Sequence, residues 1–229
     1  MMNDRGNFTD HIAHVCSKVT QKSSWVLRTF QSRNINFMKF MWKTLIQGHI
    51  DYCSQLYFPS QSSDLQKIEQ LQKTFTKKIP SIRNLNYWER LKTLKMYSQQ
   101  RRLERYRILY IWKILEGQVP NCGLVTKFSE RRGREVHIPP LKGAQSVRKL
   151  REQSFQVNGP SLFNSIPRKI RDLTKVSIDE FKEQLDRYLQ VIPDEPKVDG
   201  LTPNACNPYS AAPSNSLLDQ SRTNRRIGS

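Results

Sequence analysis

The stretch VSIDEFKEQLDRYLQVI, residues 176–192, carries the clearest structural signal in the chain. Ser177 and Glu180 are three positions apart and predict a capping box, in which each side chain accepts a hydrogen bond from the other residue's backbone N–H. Val176 and Phe181 can pack against each other across this cap as a hydrophobic staple. The apolar residues of the stretch recur at helical intervals: Ile178, Phe181, Leu185, Leu189 and Ile192. We therefore expect an amphipathic helix that packs on the rest of the protein.

The same spacing dominates the chain before this helix. It predicts that the fold class is mainly α, with a helical bundle over residues 1–118. Gly117 and Pro120 are typical of the end of a helix and mark the end of this bundle. The predicted apolar faces are Ile12, Val15, Val19, Val26 and Phe30; then, after a cap at Asn34, Phe37, Met41, Leu45 and Tyr52; then Ile68, Leu71, Phe75 and Ile79; and finally Leu103, Tyr106, Tyr110 and Ile114.

A different pattern follows the bundle. Val136 and Ile138 alternate with polar residues and predict a short strand or extended arm, which ends at Pro139. Residues 146–166 then look helical again, and Pro and Ser become frequent after residue 192. The expected organisation is a helical bundle over residues 1–118, an extension with a short strand or arm and two to three helices over 119–192, and a disordered tail over 193–229.

The chain is strongly basic, with a formal net charge of +18 from 38 Lys and Arg against 20 Asp and Glu. Most of the surplus lies in residues 60–175, within the helices and the arm. A basic surface attracts polyanions, so RNA or DNA is the expected partner, with an acidic protein or an anionic lipid surface as the open alternatives. No stretch of 18 apolar residues occurs that could form a membrane span.

The amino terminus and the cysteines bear on the compartment. The first residues lack the apolar core of a secretory signal. The four cysteines are far apart and are read as reduced thiols: Cys16, Cys53, Cys122 and Cys206. We expect an intracellular protein, nuclear or cytoplasmic.

Three groups of basic residues are candidates for contacts with phosphate groups. The first two lie on predicted helices and the third lies in the predicted arm. Trp112 continues the arginine side of its helix and could stack on a base, although burial in the core is the favoured alternative. The candidates are Lys67, Lys73, Lys77 and Lys78; Arg101, Arg102 and Arg105; and Arg131, Arg132 and Arg134.

Motifs for catalysis or for metal binding are not found. The chain contains no glycine-rich phosphate loop and no nucleophile elbow. His11 and His14 are spaced for one helix face, but no second pair of metal ligands accompanies them. The acidic residues of the 176–192 helix are read as cap and solvent-face residues instead of a two-metal site.

Four blocks of sequence resemble non-LTR retrotransposon reverse transcriptases of the jockey-like and chicken-repeat-like LINE class. The first is HIDYCSQLY, residues 49–57, with the helix that follows it. The second is YWERL at 87–91 with YSQQRR at 97–102, which are similar to the family's "YxERL" and "YSLxxRR" stretches. The third, SFQVNGP at 154–160 with LFNSIP at 162–167, resembles "SFxxxGPxLWNxLP", with Phe163 where the family usually has Trp. The fourth is the helix after Ser177, which resembles "SxxxFKxxLxxYL".

The resemblance implies the thumb and the carboxy-terminal extension of an RNA-directed DNA polymerase. In that family the catalytic aspartates and their Mg²⁺ lie upstream, so no cofactor is expected on this segment. The thumb would bind the template–primer duplex, the extension would contact the element's RNA, and a polymerase core would be a further partner. The alternative from another class is a helical interaction module that docks on an acidic partner or on a separate polymerase core. An active enzyme would require a carboxylate cluster that the sequence lacks.

Overall fold

Helical segments make up most of the structure, a computed structural model that describes residues 8–57, 62–121, 123–195 and Leu217. The mainly α fold class is confirmed, with a small two-stranded antiparallel sheet added to the helices. In chain order the elements are α1 (Thr9–Thr29), α2 (Ile35–Met41), a π-helical turn (Trp42–Ile46), α3 (Gln47–Asp51), α4 (Ser62–Thr76), a 3-10 turn (Pro80–Ile82), α5 (Tyr87–Leu94), α6 (Gln99–Leu115), β1 (Thr126–Ser129), β2 (Gly133–Val136), α7 (Gln145–Gln153), α8 (Phe155–Ser165), α9 (Arg168–Arg171) and α10 (Ile178–Val191).

The described residues divide into two compact units. The first unit contains the chain up to Arg102 together with Asp194 and Glu195, and the second contains residues 103–193. The division falls inside α6, whereas the predicted boundary at residue 118 lies beyond the end of that helix. The assignment of a thumb-like bundle and an extension stays a prediction. The predicted tail, residues 193–229, lies outside the described residues except for 193–195 and Leu217.

The core of the first unit forms around α1, which packs on α3 and α4. Ile12, Val15 and Val19 are buried on one face of α1, as their three- and four-residue spacing predicts. Ile68 and Phe75 of α4 are buried in the same cluster. These two predicted faces are confirmed because each follows from a periodicity within a single helix.

The predicted apolar face of the second helical segment needs correction. Its cap is confirmed, since the Asn34 side chain accepts a hydrogen bond from the backbone N–H of Asn36. Leu45 and Tyr52, however, are exposed, and Tyr52 is 74% exposed. The buried side is displaced by about one residue and consists of Met38, Met41, Trp42, Ile46 and Ile50. The indole N–H of Trp42 donates to the Gln47 side chain over 2.6 Å, which holds this large side chain in the core.

The second unit contains the rest of α6, the β-hairpin and α7 to α10. The helix predicted after Ser177 is confirmed: the Ser177 hydroxyl caps α10 by accepting from the backbone N–H of Glu180. Phe181, one of three buried apolar residues of α10, stacks on Trp112 with ring centroids 4.6 Å apart. Aromatic stacking and burial together fix α10 against α6.

The extended segment predicted around Val136 is present as β2, which pairs with β1. Val136 is buried, while Ile138 lies beyond the strand and is exposed. Gly159 of α8 lies so close to α6 that an added Cβ would come within 3.1 Å of the Ile111 side chain. Glycine at this position therefore permits the two helices to pack closely. Among the described residues, no helix combines the length and the apolar character needed to cross a bilayer.

Candidate nucleic-acid interface

Arg101, a candidate phosphate contact, lies inside the first unit with only 1% of its surface exposed. Its Nε lies 3.8 Å from Oδ1 of Asp194. Asp194 also accepts hydrogen bonds of 2.7 Å from the backbone N–H and from the hydroxyl of Ser98, at the start of α6. The expectation that Arg101 lies on an outward face is thus corrected, because a guanidinium at this position supports the beginning of the helix.

Arg102 and Arg105 are each paired with a carboxylate of their own unit. The Arg102 guanidinium bonds Asp51 through Nη2 to Oδ2 over 2.7 Å and through Nε to Oδ1 over 3.0 Å. Arg105 bonds both oxygens of Asp186, with Nη2 2.7 Å from Oδ2. A bidentate pair holds the guanidinium fork in one orientation. Both arginines are therefore engaged in the fold and are not displayed as a cationic face.

Trp112, the possible base-stacking residue, is fully buried. Its indole N–H donates to the backbone carbonyl of Leu173 over 3.0 Å. The favoured alternative, burial in the core, is confirmed, because a ring enclosed on all sides has no face left for a base.

Of the three arginines of the predicted arm, one is bonded within the fold and two are exposed. Arg134, on β2, donates from Nη1 to Glu116 over 2.7 Å and from Nη2 to the carbonyl of Leu115 over 3.0 Å. Arg131 and Arg132 lie in the turn between β1 and β2 and are exposed. Two of the three arm arginines are thus displayed to solvent, and Arg134 joins the hairpin to α6.

The lysine surface, defined as Lys73, Lys77, Lys78 and Arg83, forms where α4 ends and the chain turns. All four line one depression of about 640 Å³, and none of the described residues that line it is acidic. Lys67 lies farther back on α4 and its ammonium is 3.0 Å from Asp64, an ion pair within the helix. The structure therefore brings three of the four predicted lysines together. The other lining residues are Gln70, Thr74 and Pro80.

Arg83 was not among the sequence-predicted residues. It lies beyond Ile79, after the 3-10 turn at Pro80–Ile82, and the turn returns it to the side of α4 that carries the lysines. Helical periodicity cannot find such a residue, because the register of α4 ends at Thr76. The local signal that could have suggested it is Pro80, shortly after the end of the helix, since proline is typical of a sharp change of direction.

A groove between α1 and α4 adjoins the lysine surface. The groove has a volume of about 920 Å³ and shares Gln70, Thr74 and Lys78 with that surface. Hydroxyl and amide side chains line its rim, and leucine and phenylalanine side chains line its floor. Side chains of this kind can bond phosphate and sugar oxygens without reading sequence. The remaining lining residues include Thr20, Ser24, Leu27, Arg28, Leu71 and Phe75.

Arg90 holds the end of α4 in place. This buried arginine of α5 donates from Nη2 to the carbonyl of Lys73 over 3.3 Å, from Nη1 to the carbonyl of Leu85 over 3.0 Å and from Nε to the hydroxyl of Thr76 over 3.3 Å. The carbonyl of Lys73 also accepts from the backbone N–H of Lys77, and Arg90 adds a side-chain donor there that ties the end of α4 to the segment after it. Burial lowers the pKa of Arg90. Sequence reasoning missed this role, although Arg90 belongs to the YWERL block.

Glu69 forms the centre of a buried polar network in the same unit. The hydroxyl of Tyr87 donates to its carboxylate, and the backbone N–H of Gln99 donates to Oε2 over 3.0 Å. The Gln99 side chain bonds Gln47 over 3.1 Å and also bonds Gln72. Burial raises the pKa of Glu69 to about 7, against hydrogen bonds that favour its charged form. This network joins α3, α4, α5 and α6 within their shared unit.

Within residues 8–57, 62–121 and 123–195, no cluster of three or more His, Cys, Asp or Glu side chains could hold a metal ion. The His11 ring contacts the Tyr57 ring, with centroids 4.8 Å apart, and burial lowers the pKa of His11. The expectation that this chain carries no cofactor stays a prediction.

Comparisons with known protein families, with curated proteins and with solved structures find no match for this chain.

Proposed function

We propose that this chain is a nucleic-acid-binding module, the thumb and carboxy-terminal part of an RNA-directed DNA polymerase of a non-LTR retrotransposon. It binds the template–primer duplex through its backbone and carries no catalytic centre. In this proposal the lysine surface contacts the phosphates, and the adjoining groove with its hydroxyl and amide rim contacts the sugar–phosphate backbone. The family assignment rests on the four blocks of sequence, and the binding site rests on the arrangement of charge.

The observation that carries the binding site is the composition of the lysine surface. Four cations line one depression, and no carboxylate lines it in the part of the chain that the structure describes. Arg101, Arg102 and Arg105 of α6 have carboxylate partners, as do Lys67 and Arg134, and these pairs explain their positions without a ligand. Cations gathered without an opposing charge repel one another, and an external anion would relieve this repulsion.

Nucleic acid fits this surface better than a small anion. Lys73 lies in the last turn of α4, and Lys77 and Lys78 follow the end of that helix, so the positive charge extends from the helix into the turn after it. The groove extends the surface on the side of α1. A row of cations next to polar groups matches a run of phosphates, and ammonium groups bind phosphates without reading sequence. We expect micromolar affinity for a template–primer duplex, with a steep dependence on salt.

The test is a triple substitution, Lys73→Gln with Lys77→Gln and Lys78→Gln. Binding of a fluorescently labelled RNA–DNA template–primer duplex is measured by anisotropy over a range of KCl concentrations. Each lost phosphate contact lowers the slope of log affinity against log salt by about 0.9, so we expect the slope to fall by about 2.7. At about 0.1 M salt this corresponds to an affinity up to about 500-fold weaker.

The matched control removes the same charge elsewhere. Lys18, Lys43 and Lys175 are exposed and lie outside the lysine surface, so their joint replacement by Gln should reduce the slope far less. If the salt slope falls by the same amount in both triple variants, binding follows net charge alone and the site is refuted. If the wild type shows no affinity for the duplex at about 0.1 M salt, the proposed function itself is wrong.

The interaction-module alternative receives less support. It requires the apolar faces of residues 35–57 and 177–192 to be available to a partner. Phe181, Leu185 and Leu189 of α10 are instead buried within the second unit. Tyr52 and Leu56 are exposed, but they lie in the segment that follows α3 and do not continue its buried face.

A further inference from the structure

The hairpin β1–β2 carries an exposed aromatic ring beside exposed cations. Phe128 of β1 is 72% exposed, and every residue of β1 is exposed. Lys127 precedes it on the same strand, and Arg131 with Arg132 forms part of the turn that follows. A phenylalanine exposed to this extent loses the stabilisation of burial, and it lies within a few residues of three exposed cations in the sequence.

Asp172 and Arg171, at the end of α9, hold the backbone of this hairpin through hydrogen bonds. The carboxylate of Asp172 accepts from the backbone N–H of Arg134 over 2.7 Å. Gly133 has a φ of +71°, and an added Cβ there would lie 2.6 Å from the Asp172 oxygens, so the turn fits tightly against this carboxylate. The Arg171 guanidinium donates to the carbonyl of Arg132 over 3.0 Å and to that of Arg134 over 3.2 Å. A site on this hairpin would therefore be formed before a ligand arrives.

The acidic residues that hold the hairpin are engaged, whereas the arginines of the turn are not. Glu135 is paired with Arg171 at 3.3 Å and Asp172 with Arg168 at 3.0 Å. Among the residues that the structure describes, neither Arg131 nor Arg132 has a carboxylate partner within ion-pair distance. Glu130 is the acidic residue of the turn itself, so Lys127 and the two arginines leave the tip with a surplus of positive charge.

We propose that the tip of the β1–β2 hairpin binds single-stranded nucleic acid. Phe128 stacks on an unpaired base, and Arg131 and Arg132 contact the phosphates on either side of it. A duplex hides the faces of its bases in its own stack, so an exposed ring can be used only where bases are unpaired. This inference rests on the proposed function, because the partner is again nucleic acid. The hairpin site, however, consists of different residues in the second unit and binds a single strand instead of a duplex.

A protein partner is the competing interpretation. Val125 and Ile138 are also exposed near the base of the hairpin and, with Phe128, could contact an apolar surface. The cations favour nucleic acid, because the side chains next to Phe128 in sequence supply positive charge and the phosphate backbone supplies its complement along the whole strand.

The test measures the full chain with labelled oligo(dT) or oligo(U) and, in parallel, with the template–primer duplex. Phe128→Leu keeps an apolar side chain without an aromatic face, and we expect it to weaken single-strand binding roughly tenfold while duplex binding stays within about twofold. Phe128→Trp should restore or exceed the wild-type affinity, because the larger ring stacks more strongly. Phe40→Leu, at another exposed aromatic position, is the matched control and should change neither affinity.

Replacing Arg131 and Arg132 by Gln together should lower the salt slope for the single strand by about 1.4, since each contact contributes about 0.7. If Phe128→Leu lowers the affinity for duplex and for single strand equally, the site is refuted. The site is also refuted if Phe128→Leu lowers neither affinity. If poly-glutamate binds more tightly than the oligonucleotide and Phe128→Leu weakens that binding, the tip is a protein site and the inference is wrong.

These outcomes separate the inference from the proposed function. If the lysine triple variant loses duplex binding while Phe128→Leu leaves single-strand binding unchanged, only the hairpin site fails. If Phe128→Leu weakens single-strand binding and the lysine variant keeps its duplex affinity, the hairpin site stands and the lysine surface fails. A wild type that binds neither form overturns both.

Discussion

Replacing Glu69 by Gln should change how the stability of the protein depends on pH. The carboxylate is fully buried and accepts hydrogen bonds from Tyr87 and from the backbone of Gln99. Burial raises its pKa from an ordinary value of 4.5 to about 7. The folded state therefore holds the Glu69 proton at pH values where the unfolded chain has already released it.

The sign and size of the effect follow from this difference. Because the folded-state pKa is raised, protonation of Glu69 favours the folded state at acidic pH, and this contribution is lost as pH rises towards about 7. Between about pH 5 and pH 6.5 the free energy of unfolding should fall by about 1.4 kcal/mol per pH unit from this residue alone. The total over the full range is about 3 kcal/mol.

Urea unfolding followed by circular dichroism at several pH values from 5 to 8, roughly the range of the titration, measures this dependence. Glu69→Gln cannot titrate, so its curve of unfolding free energy against pH should be flatter than that of the wild type. The variant also replaces Oε2, which accepts the Gln99 N–H, by an amide, and this costs about 1–2 kcal/mol at every pH. Glu130→Gln, an exposed residue of the hairpin turn, is the control for loss of one negative charge.

The difference between the wild-type and Glu69→Gln curves removes the contributions of titrating groups that do not interact with Glu69, such as His11. If this difference is constant from pH 5 to pH 8, or if the control flattens the curve as much, Glu69 does not titrate as the buried network requires and the reasoning is refuted.

Three further substitutions test the packing described above. Arg90→Met should lower the free energy of unfolding by about 2–4 kcal/mol and weaken duplex binding, because the end of α4 loses the three hydrogen bonds that Arg90 donates to it and to Leu85; unchanged thermal unfolding would contradict this. Gly133→Ala should lower the free energy of unfolding by about 1–3 kcal/mol, because alanine there combines a left-handed φ with a Cβ 2.6 Å from the Asp172 carboxylate. Faster hydrogen exchange in β2 would show that the hairpin has loosened. Trp112→Phe should lower the free energy of unfolding by about 1–3 kcal/mol, because the carbonyl of Leu173 loses its hydrogen-bond donor. A loss of less than about 0.5 kcal/mol in chemical denaturation would argue against that bond.

Features encoded within one helix could be predicted from the sequence. The Asn34 and Ser177 caps are present, and the buried faces of α1 and α10 follow the apolar spacing, because both depend on residues a few positions apart. The second helical segment shows the limit of this reasoning. Several apolar residues there occupy adjacent stripes, so periodicity alone could not decide that Met38 is buried and Leu45 exposed.

Predicting the binding residues depended on contacts that are distant in sequence. Arg102 is separated from Asp51 by 51 positions and Arg105 from Asp186 by 81, so no local pattern could show that their charges are matched. Lys73, Lys77 and Lys78 lie close together in sequence at the end of α4, so their common surface could be predicted. Arg83 joins them only because the turn after α4 brings it back, which requires the tertiary structure.

The contrast between enclosed ion pairs and exposed cations has a practical consequence for handling the protein. At about 1 M salt the screening length is only about 3 Å, which removes most attraction between exposed charges and affects enclosed pairs much less. The pairs of Arg105 with Asp186 and of Arg134 with Glu116 are largely enclosed, whereas Lys77 and Lys78 are exposed. A concentrated-salt wash should therefore strip co-purifying nucleic acid from the protein and leave it folded, so that ligand-free material can be prepared without a denaturation step.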